Sequence, residues 1–241
     1  PVSDTFSSRG GMSDLRLAGA YKLGGGWAVG GSFHVLTGSN RITSRRAFAD
    51  ASYLTARQSA EISLAGVGFD IGVVRTFSAT FSMAAVARSD GHANVDRDST
   101  RVSQVDRPYT FGLGVRWRPS RSLDLASEVI YRTWSAANSD LVAQGGVGSE
   151  NTVQVSLGAE LTPNLRRPSR NPIRLGVRYG TLPFPLAPGE QPKEFAVSLG
   201  SGVRFAQQRA GIDVALEHAW RSAGAYKERA LMVTLGVMVR P

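Results

Sequence analysis

The side chains with the clearest chemistry in this sequence are arginines at alternate positions of extended, otherwise apolar segments. Lysine and arginine together number 28, against 19 aspartate and glutamate residues. A guanidinium binds a carboxylate through two parallel hydrogen bonds, so an arginine that faces an enclosed space is a candidate for holding an anionic ligand. Arg116, Arg132 and Arg178 are the predicted ligands of this kind. The alternative for them is cross-strand ion pairing with acidic residues on the same faces.

The sequence offers little for catalysis. Its only histidines are His34, His92 and His218, and it has no cysteine. A hydrolytic site needs a nucleophile, a base and an orienting group within reach of one another, whereas these histidines come from separate segments without a GxSxG or HExxH motif. They are predicted to be structural, and no catalytic residue, metal site or cofactor is predicted. The glycines at 24–26 predict a hairpin turn and not a phosphate loop, because no helix starts there.

The elements that position these residues are amphipathic strands, and the segment from Tyr109 to Trp134 shows their pattern once. Its first half alternates apolar residues with small or cationic ones, which indicates a strand with two different faces. Pro119 and Ser120 interrupt the pattern and a second alternating run follows, so the segment is predicted to be a hairpin. The apolar face would meet a second sheet in a soluble sandwich, or lipid in an outer-membrane barrel whose charged face lines the lumen.

The same pattern recurs and predicts about eleven strands. Pro1 to Gly11, Thr37 to Ala47, Ser89 to Asp106 and Ser135 to Asn151 are predicted loops. The alternation slips at Ala65 and Gly66, which predicts a β-bulge or a glycine kink. The predicted strands are Asp14–Lys22, Trp27–Val35, Ile62–Val74, Phe81–Arg88, Tyr109–Arg118, Leu123–Arg132, Thr152–Leu161, Ile173–Tyr179, Glu194–Phe205, Ile212–Trp220 and Leu231–Val239.

The lengths of the connections favour a membrane barrel over a sandwich. Short connections tend to alternate with long ones, as they do where periplasmic turns are short and outer loops are long. Thr181 to Lys193 is predicted to be long, Ala206 to Ala210 short, and Arg221 to Arg229 longer again. If the last strand ends in the periplasm, counting back through the connections predicts that the first visible strand runs from the outside toward the periplasm. An odd number of strands is therefore expected before it, and the chain is predicted to be the C-terminal portion of a larger barrel.

The positive charge does not predict nucleic-acid binding. A formal net charge of +9 is compatible with nucleic acid, anionic lipid or an anionic ligand. The arginines are scattered through strands and loops, and no recognition helix, ribbon or aromatic platform accompanies them. Nucleic acid is therefore not a predicted partner.

Several stretches resemble, in order and spacing, the FadL-type family of outer-membrane transporters of hydrophobic compounds. The first is YTFGLGVRWRPSRSLDLASEVIYRTWS, where a GLG strand, a Pro-containing turn and a strand ending in Trp-Ser follow one another. The others are GVGFDIGVVRTFSATFSMAAVARS, TVQVSLGAELTPN with IRLGVRYGTLPFPL, and FAVSLGSGVRF with IDVALEHAW. Together they cover more than half of the chain.

The resemblance implies an all-β, antiparallel transmembrane β-barrel, of which these strands would be the last eleven of fourteen. It implies one barrel domain over residues 1–241, without the N-terminal hatch and first strands, in the bacterial cell outer membrane. The implied function is passive uptake of hydrophobic small molecules such as long-chain fatty acids through a plugged barrel. A monomer in contact with outer-membrane lipid and lipopolysaccharide is expected, with no cofactor.

The chain departs from the usual outer-membrane pattern at its end. It finishes in Val239-Arg240-Pro241 and lacks the C-terminal aromatic residue that is common as an assembly signal. The alternatives left open are a structural or porin-like outer-membrane barrel without a dedicated hydrophobic substrate and, third, an outer-membrane enzyme.

The resemblance gives the two faces of each strand a role. Trp134 is the one aromatic residue with a predicted substrate-stacking role, because parity turns it inward near the outer rim. Leu182 to Leu186 (LPFPL) is an apolar patch in an outer loop; either it lines an entrance groove, with Leu182 and Phe184 as ligand contacts, or it packs on neighbouring loops. The predicted interfacial residues are Trp27, Trp117, Trp134, Trp220, Tyr131 and Tyr179. The predicted lumen-facing residues are Asp70, Arg88, Arg116, Arg118, Asp124, Glu128, Arg132, Arg174, Arg178, Glu194, Arg204, Asp213 and Glu217.

Overall fold

The chain folds into one large antiparallel β-sheet with very little helix. The computed structural model describes residues 2–50, 52–98, 100–143, 145–163, 170–185, 189–205 and 209–239. The strands are β1 Val2–Gly24, β2 Trp27–Phe48, β3 Ala56–Ser78, β4 Phe81–Ser89, β5 His92–Arg97, β6 Thr100–Asp106, β7 Thr110–Trp117, β8 Leu123–Arg132, β9 Thr152–Leu161, β10 Arg170–Thr181, β11 Lys193–Phe205, β12 Ala210–Ala223 and β13 Tyr226–Val239. A 3₁₀ turn, Trp134–Ala137, and a short helix α1, Asn138–Ala143, follow β8.

Eleven of the strands form a simple meander. Each pairs with the next along the chain, in the order β1-β2-β3-β4-β7-β8-β9-β10-β11-β12-β13. The prediction of an antiparallel all-β fold with about eleven strands is therefore confirmed. β1 and β13 are the two edges of the sheet in the part of the chain that the structure describes, so the sheet is not closed into a complete barrel.

The connections fall into two groups at opposite ends of the strands. We call one the turn end; its connections are residues 25–26, 79–80, 118–122, 162–169 and 206–209. The other, which we call the loop end, carries residues 49–55, 90–109, 133–151, 182–192 and 224–225. The predicted alternation of short and long connections holds except at the last position. Arg221 to Arg229 was expected to be a longer loop, but β12 and β13 continue to a turn of two residues, Gly224 and Ala225.

Polarity alternates across the sheet with the strand period. In the β7–β8 pair, Phe111 opposes Tyr131 and Leu113 opposes Val129 on one face, while Gly114 opposes Glu128 on the other. We call the first face outward and the second inward, because the same outward parity collects the exposed apolar residues of β9 to β13. An apolar outward face and a polar or small inward face are the arrangement of a transmembrane barrel wall.

The first three strands extend beyond the others at the loop end, and there the polarity of the faces inverts. β4 pairs with β3 only from Phe69 to Ser78, whereas β2 and β3 stay paired back to Ala56. The outward row at Leu15, Val35 and Val67 is still apolar. In the rows beyond it the outward residues are Ser13, Gly11, Arg9, Thr37, Ser39, Arg41, Ala65, Ser63 and Glu61, and the inward ones include Met12, Leu36, Leu64 and Ile62.

This inversion corrects three sequence-based predictions. Pro1 to Gly11 and Thr37 to Ala47 were predicted loops because they are polar, but from Val2 onward they are paired strands whose outward face is hydrophilic. No bulge exists at Ala65 and Gly66: the β2–β3 register runs through them without a shift. The alternation slips because the apolar residues change from the outward to the inward face at this level.

Two further predicted loops contain regular structure. Ser89 to Asp106 holds the β5–β6 hairpin, and β5 pairs with the extended part of β3 from Ile62 to Gly66. Ser135 to Asn151 holds most of the 3₁₀ turn and α1. No helix among the described residues is long and apolar enough to cross a membrane.

Candidate functional site

The inward face of β7 to β13 carries a network of ion pairs. Glu194 is buried, accepts a hydrogen bond from Arg221 at 2.5 Å and forms an ion pair with Arg178 at 2.8 Å. Arg178 also reaches Glu217 at 2.6 Å. Further pairs are Arg174 with Glu160 at 2.6 Å and Asp213 at 2.7 Å, Arg204 with Asp213 at 2.9 Å, Arg118 with Asp124 at 3.0 Å, and Arg116 with Asp124. The cross-strand ion pairing considered from the sequence is therefore present.

The three arginines predicted to bind a carboxylate do not form one site. Arg116 and Arg178 are already neutralised by carboxylates of the chain. Arg132 has no carboxylate within 4.0 Å among the described residues and opposes the uncharged Thr110 and Thr152. Arg116 opposes Ala126, which precedes Arg132 on β8 by about 20 Å at about 3.3 Å per residue. Arg132 is thus the predicted ligand whose charge is still available.

The inward face of β1 to β4 and β7 is different, because small and apolar residues replace the ion pairs. In one cross-strand row Ala28 opposes Val74, which opposes Ala84, which opposes Gly114. The next row toward the loop end consists of Ala20, Gly30, Gly72, Val86, Gly112 and Ile130. We call these two rows the small-residue track. They line a cavity of about 460 Å³.

Charged residues stand at the loop-end border of the track. Asp70 accepts from the Ser32 hydroxyl at 2.5 Å and lies 3.8 Å from Arg16. Strand parity in the sequence places Asp70 and Arg88 on the inward face but does not predict the track. Alternating glycine and alanine in GAYKLGGGWAVGG is the signal that could have revealed it.

A buried polar cluster holds the base of the β5–β6 hairpin. His34 is fully buried, and its Nε2 lies 2.7 Å from Asp90 Oδ1, which also accepts from Arg88 Nε at 2.6 Å. Arg107 donates to the backbone carbonyls of Val67 and Asp90. Burial lowers the pKa of the Arg107 guanidinium, and the Asp90 charge opposes that shift. His34, Arg88, Asp90 and Arg107 together form what we call the latch.

The histidines show no catalytic grouping. His34 belongs to the latch, His92 lies on β5 beside Asp106, and His218 stacks near Trp220 on the outward face. Within the described residues no group of three or more His, Cys, Asp or Glu side chains is arranged to hold a metal ion.

The loop end carries a second cavity, of about 380 Å³. Leu182, Phe184, Pro192 and Tyr226 form its apolar wall. The backbone N–H of Leu182 donates to the carbonyl of Pro192 at 2.8 Å, which closes the loop at its base. Arg221, Lys227 and Glu228 also line it, so the pocket at the rim of the sheet has an apolar wall and a charged one.

The three loop-end residues predicted to contact ligand are brought together. The Trp134 ring meets the edge of the Phe184 ring at 5.2 Å between centroids, and Leu182 lines the same cavity as Phe184. Trp134 lies in the 3₁₀ turn, so strand parity does not determine its direction. The fifth residue of the predicted apolar patch, Leu186, lies outside the described residues.

Comparison with known proteins identifies the fold. No family model matches the sequence, and no curated protein does. The chain is similar to the solved structure of the CymD monoaromatic hydrocarbon channel, with 13% identity and a TM-score of 0.66 over 99% of this chain and 77% of that one. The Ralstonia pickettii toluene transporter TbuX gives 12% identity and a TM-score of 0.66 over 97% and 68%.

A Pseudomonas aeruginosa FadL homologue gives 13% identity and a TM-score of 0.61 over 89% of this chain and 61% of that one. At such low identities the similarity establishes the fold alone. The fold is that of the FadL-type transport barrels, as the sequence resemblance implied.

Proposed function

We propose that the protein is a bacterial outer-membrane channel through which hydrophobic small molecules cross passively. The observation that carries the proposal is the small-residue track, a strip of small and apolar residues on the inward face of a sheet whose outward face is apolar; Lys22 and Glu128 flank its first row. Glycine and alanine project little into the lumen, so the strip leaves room for a ligand and offers it an apolar surface. The barrel would be completed by further strands and a hatch, as in a fourteen-stranded FadL-type barrel, and would act as a monomer.

The fold neighbours support this assignment. One is described as a monoaromatic hydrocarbon channel and another as a toluene transporter. None of the three is described as an enzyme. A structural or porin-like barrel would have no need of an uncharged strip along one part of its wall.

The charge distribution bears on the substrate. Because Arg116 and Arg178 are neutralised within the chain, the lumen holds little spare positive charge for a fatty-acid carboxylate. Neutral or weakly polar hydrocarbons are therefore the substrates that we favour. A long-chain fatty acid is the second candidate, and the unpaired Arg132 is the observation in its favour.

The loop-end cavity is proposed as the entrance. Leu182, Phe184 and Trp134 form an apolar and aromatic surface at the rim, where a hydrophobic molecule leaves water. Stacking on Trp134 or Phe184 would hold an aromatic ring by offset or edge contacts. From there the molecule would follow the track toward the turn end and pass Glu128, which lies opposite Gly114 at the edge of the track.

The test is to narrow the track at a glycine that tolerates a side chain. A Cβ at Gly114 would lie 3.7 Å from the nearest backbone atom, the carbonyl oxygen of Ser127. Gly114→Phe should therefore fold normally and obstruct the track. The matched control is Gly158→Phe, an inward glycine among the ion pairs with a nearest backbone atom at 3.8 Å.

Uptake of labelled toluene and of a labelled long-chain fatty acid by cells expressing each variant would be measured, with surface expression checked by heat-modifiable gel migration. We expect Gly114→Phe to lower uptake several-fold and Gly158→Phe to have little effect. Equal effects of both variants would contradict the assignment of the route to the track, and no effect of either would contradict the channel itself.

A further inference from the structure

We infer that Lys193, Lys227 and Arg229 form a binding site for the phosphate groups of a phosphorylated lipid of the outer leaflet. The site lies on the outward face of β11 to β13 at the loop end. It shares the membrane placement of the proposed channel but does not depend on transport.

The register brings the three cations together. Lys193 opposes Ser222 on β12, and Ser222 opposes Lys227 on β13, so all three share one outward row. The two lysines are thus about 10 Å apart at the Cα atoms, and Arg229, two positions further on β13, is about 7 Å from Lys227. The side chains of lysine and arginine are long enough to meet on one phosphate group placed between them, and the exposed Ser222 adds a hydroxyl donor.

Within the described residues, the cations of this cluster are not paired with carboxylates, unlike those of the inward face. Among the described residues none of the three cations has a carboxylate within 4.0 Å, whereas inward neighbours such as Arg221 have two. Glu194 and Glu228 are adjacent in sequence but point inward and pair with Arg221. The nearby Glu190 carboxylate lies against Gly224 at the tip of the β12–β13 turn.

The cluster stands at the level where lipid headgroups are expected. In the row of Arg229, Trp220 and Phe195 stack with their centroids 5.7 Å apart, and Tyr179 opposes Phe195. Aromatic rings of this kind favour the interface between hydrocarbon and water. The rows beyond Arg229 toward the turn end are apolar on β13, with Leu231, Val233 and Leu235 outward.

The cluster is not part of a cationic row that continues around the sheet. On β7, β8 and β9 the outward row at the same level contains Phe111, Tyr131 and Val153. A uniform cationic ring would indicate non-specific attraction to an anionic surface. Three cations within one small area can instead bind the clustered phosphates of a single headgroup. Each lysine or arginine near an anionic membrane surface adds to the binding, and arginine can bind two phosphate oxygens at once.

The experiment uses the protein in phosphatidylcholine nanodiscs, with a synthetic acylated disaccharide that carries two phosphate monoesters as the probe. Native mass spectrometry counts the probe molecules retained by the wild type, by the triple variant Lys193→Gln, Lys227→Gln, Arg229→Gln, and by a control. The control is Arg9→Gln, Arg45→Gln, Arg57→Gln, which removes the same charge from exposed outward positions of the β1–β3 extension.

We expect the first triple variant to lose the probe roughly tenfold or more and the control to retain it. Retention by both variants, or equal binding of a dephosphorylated probe by the wild type, would overturn the inference. Competition by millimolar inorganic phosphate with no requirement for the acyl chains would assign the site to free phosphate and would also overturn it.

A Lys193→Arg, Lys227→Arg variant, which keeps the charges, should bind like the wild type, and this separates loss of binding from misfolding. Toluene uptake should not change in a Lys193→Gln, Arg229→Gln double variant, because neither residue lines the loop-end cavity, whereas Lys227 does. Lipid binding without any uptake would contradict the channel alone, and uptake without lipid binding would contradict this site alone.

Discussion

Replacing Glu194 by glutamine should destabilise the sheet more than any other single change in the inward ion network. Glu194 is 5% exposed, accepts a charged hydrogen bond from Arg221 at 2.5 Å and forms an ion pair with Arg178 at 2.8 Å. Glutamine has a similar shape but carries no charge, so its carbonyl can keep one weaker bond while its NH₂ group faces a guanidinium.

The size of the effect follows from the bonds that are lost. A hydrogen bond to a charged group contributes about 1.5–3 kcal/mol and a neutral one about 0.5–1.5 kcal/mol. Exchanging the charged bond from Arg221 for a neutral one would cost about 1–1.5 kcal/mol, and losing the ion pair with Arg178 about 1 kcal/mol more. The side chains of Arg178 and Arg221 are 32% and 38% exposed, so water recovers part of this. We therefore expect a loss of about 2 kcal/mol.

Glu217→Gln is the matched comparison. Glu217 accepts only from Arg178, at 2.6 Å, and its side chain is 28% exposed, so the loss should be about 1 kcal/mol or less. Urea unfolding of the protein in phospholipid vesicles, followed by tryptophan fluorescence, gives both free energies of unfolding. If Glu217→Gln costs as much as Glu194→Gln, or if neither differs from the wild type, the reasoning from burial and shared bonds is refuted.

Three more predictions concern the site and the loops. Arg132→Ala should lower uptake of a labelled fatty acid several-fold and leave toluene uptake unchanged, because Arg132 has no carboxylate within 4.0 Å among the described residues. Arg116→Ala should change neither uptake. Equal loss of fatty-acid uptake in both variants would show that pairing with a carboxylate of the chain does not decide whether an arginine can bind the ligand. Arg107→Ala should leave the melting temperature of the barrel nearly unchanged but speed amide exchange in residues 92–106, since it removes the latch bonds to two backbone carbonyls; unchanged exchange would mean that β3 pairing alone holds the hairpin. Phe184→Ala should raise the toluene concentration needed for half-maximal uptake. An unchanged concentration would contradict the proposal that the loop-end cavity is the entrance.

Much of the fold could be predicted because lipid and lumen impose opposite requirements on successive residues. Apolar Phe111 and Leu113 alternate with Gly112 and Gly114, which shows this rule directly. The rule predicted all eleven strands of the meander. Only part of the ion network could be predicted from the sequence. Parity placed Arg178, Glu194 and Glu217 on one face, but which carboxylate meets which arginine depends on the register between β10, β11 and β12. Register is set by the turns, including residues 206–209, whose lengths the pattern does not determine.

The small-residue track was missed for a related reason. Gly72, Ala84 and Gly114 come from three different strands, and each looks like an ordinary glycine or alanine in its own segment. Only the ladder of β3, β4 and β7 brings them into one row. Such residues have no chemically active side chain, and their contribution to function is the space that they leave free.

The polarity inversion in β1 to β3 shows why a single periodicity rule could not give the strand ends. On the turn-end side of the row of Val35 and Val67 the outward positions are apolar, and on its loop-end side the same positions are polar. Thr37, Ser39 and Arg41 therefore alternate as strand residues with the polar side outward, and a rule that expects the apolar side outward throughout predicts a loop. In the membrane placement proposed for the channel, this reversal places the loop-side boundary of the hydrocarbon on β2 and β3 to within one row. On β13 the outward residues change in the same way, from Leu231 to Arg229 and Lys227, and the apolar band ends there in cations that have no carboxylate within 4.0 Å among the described residues.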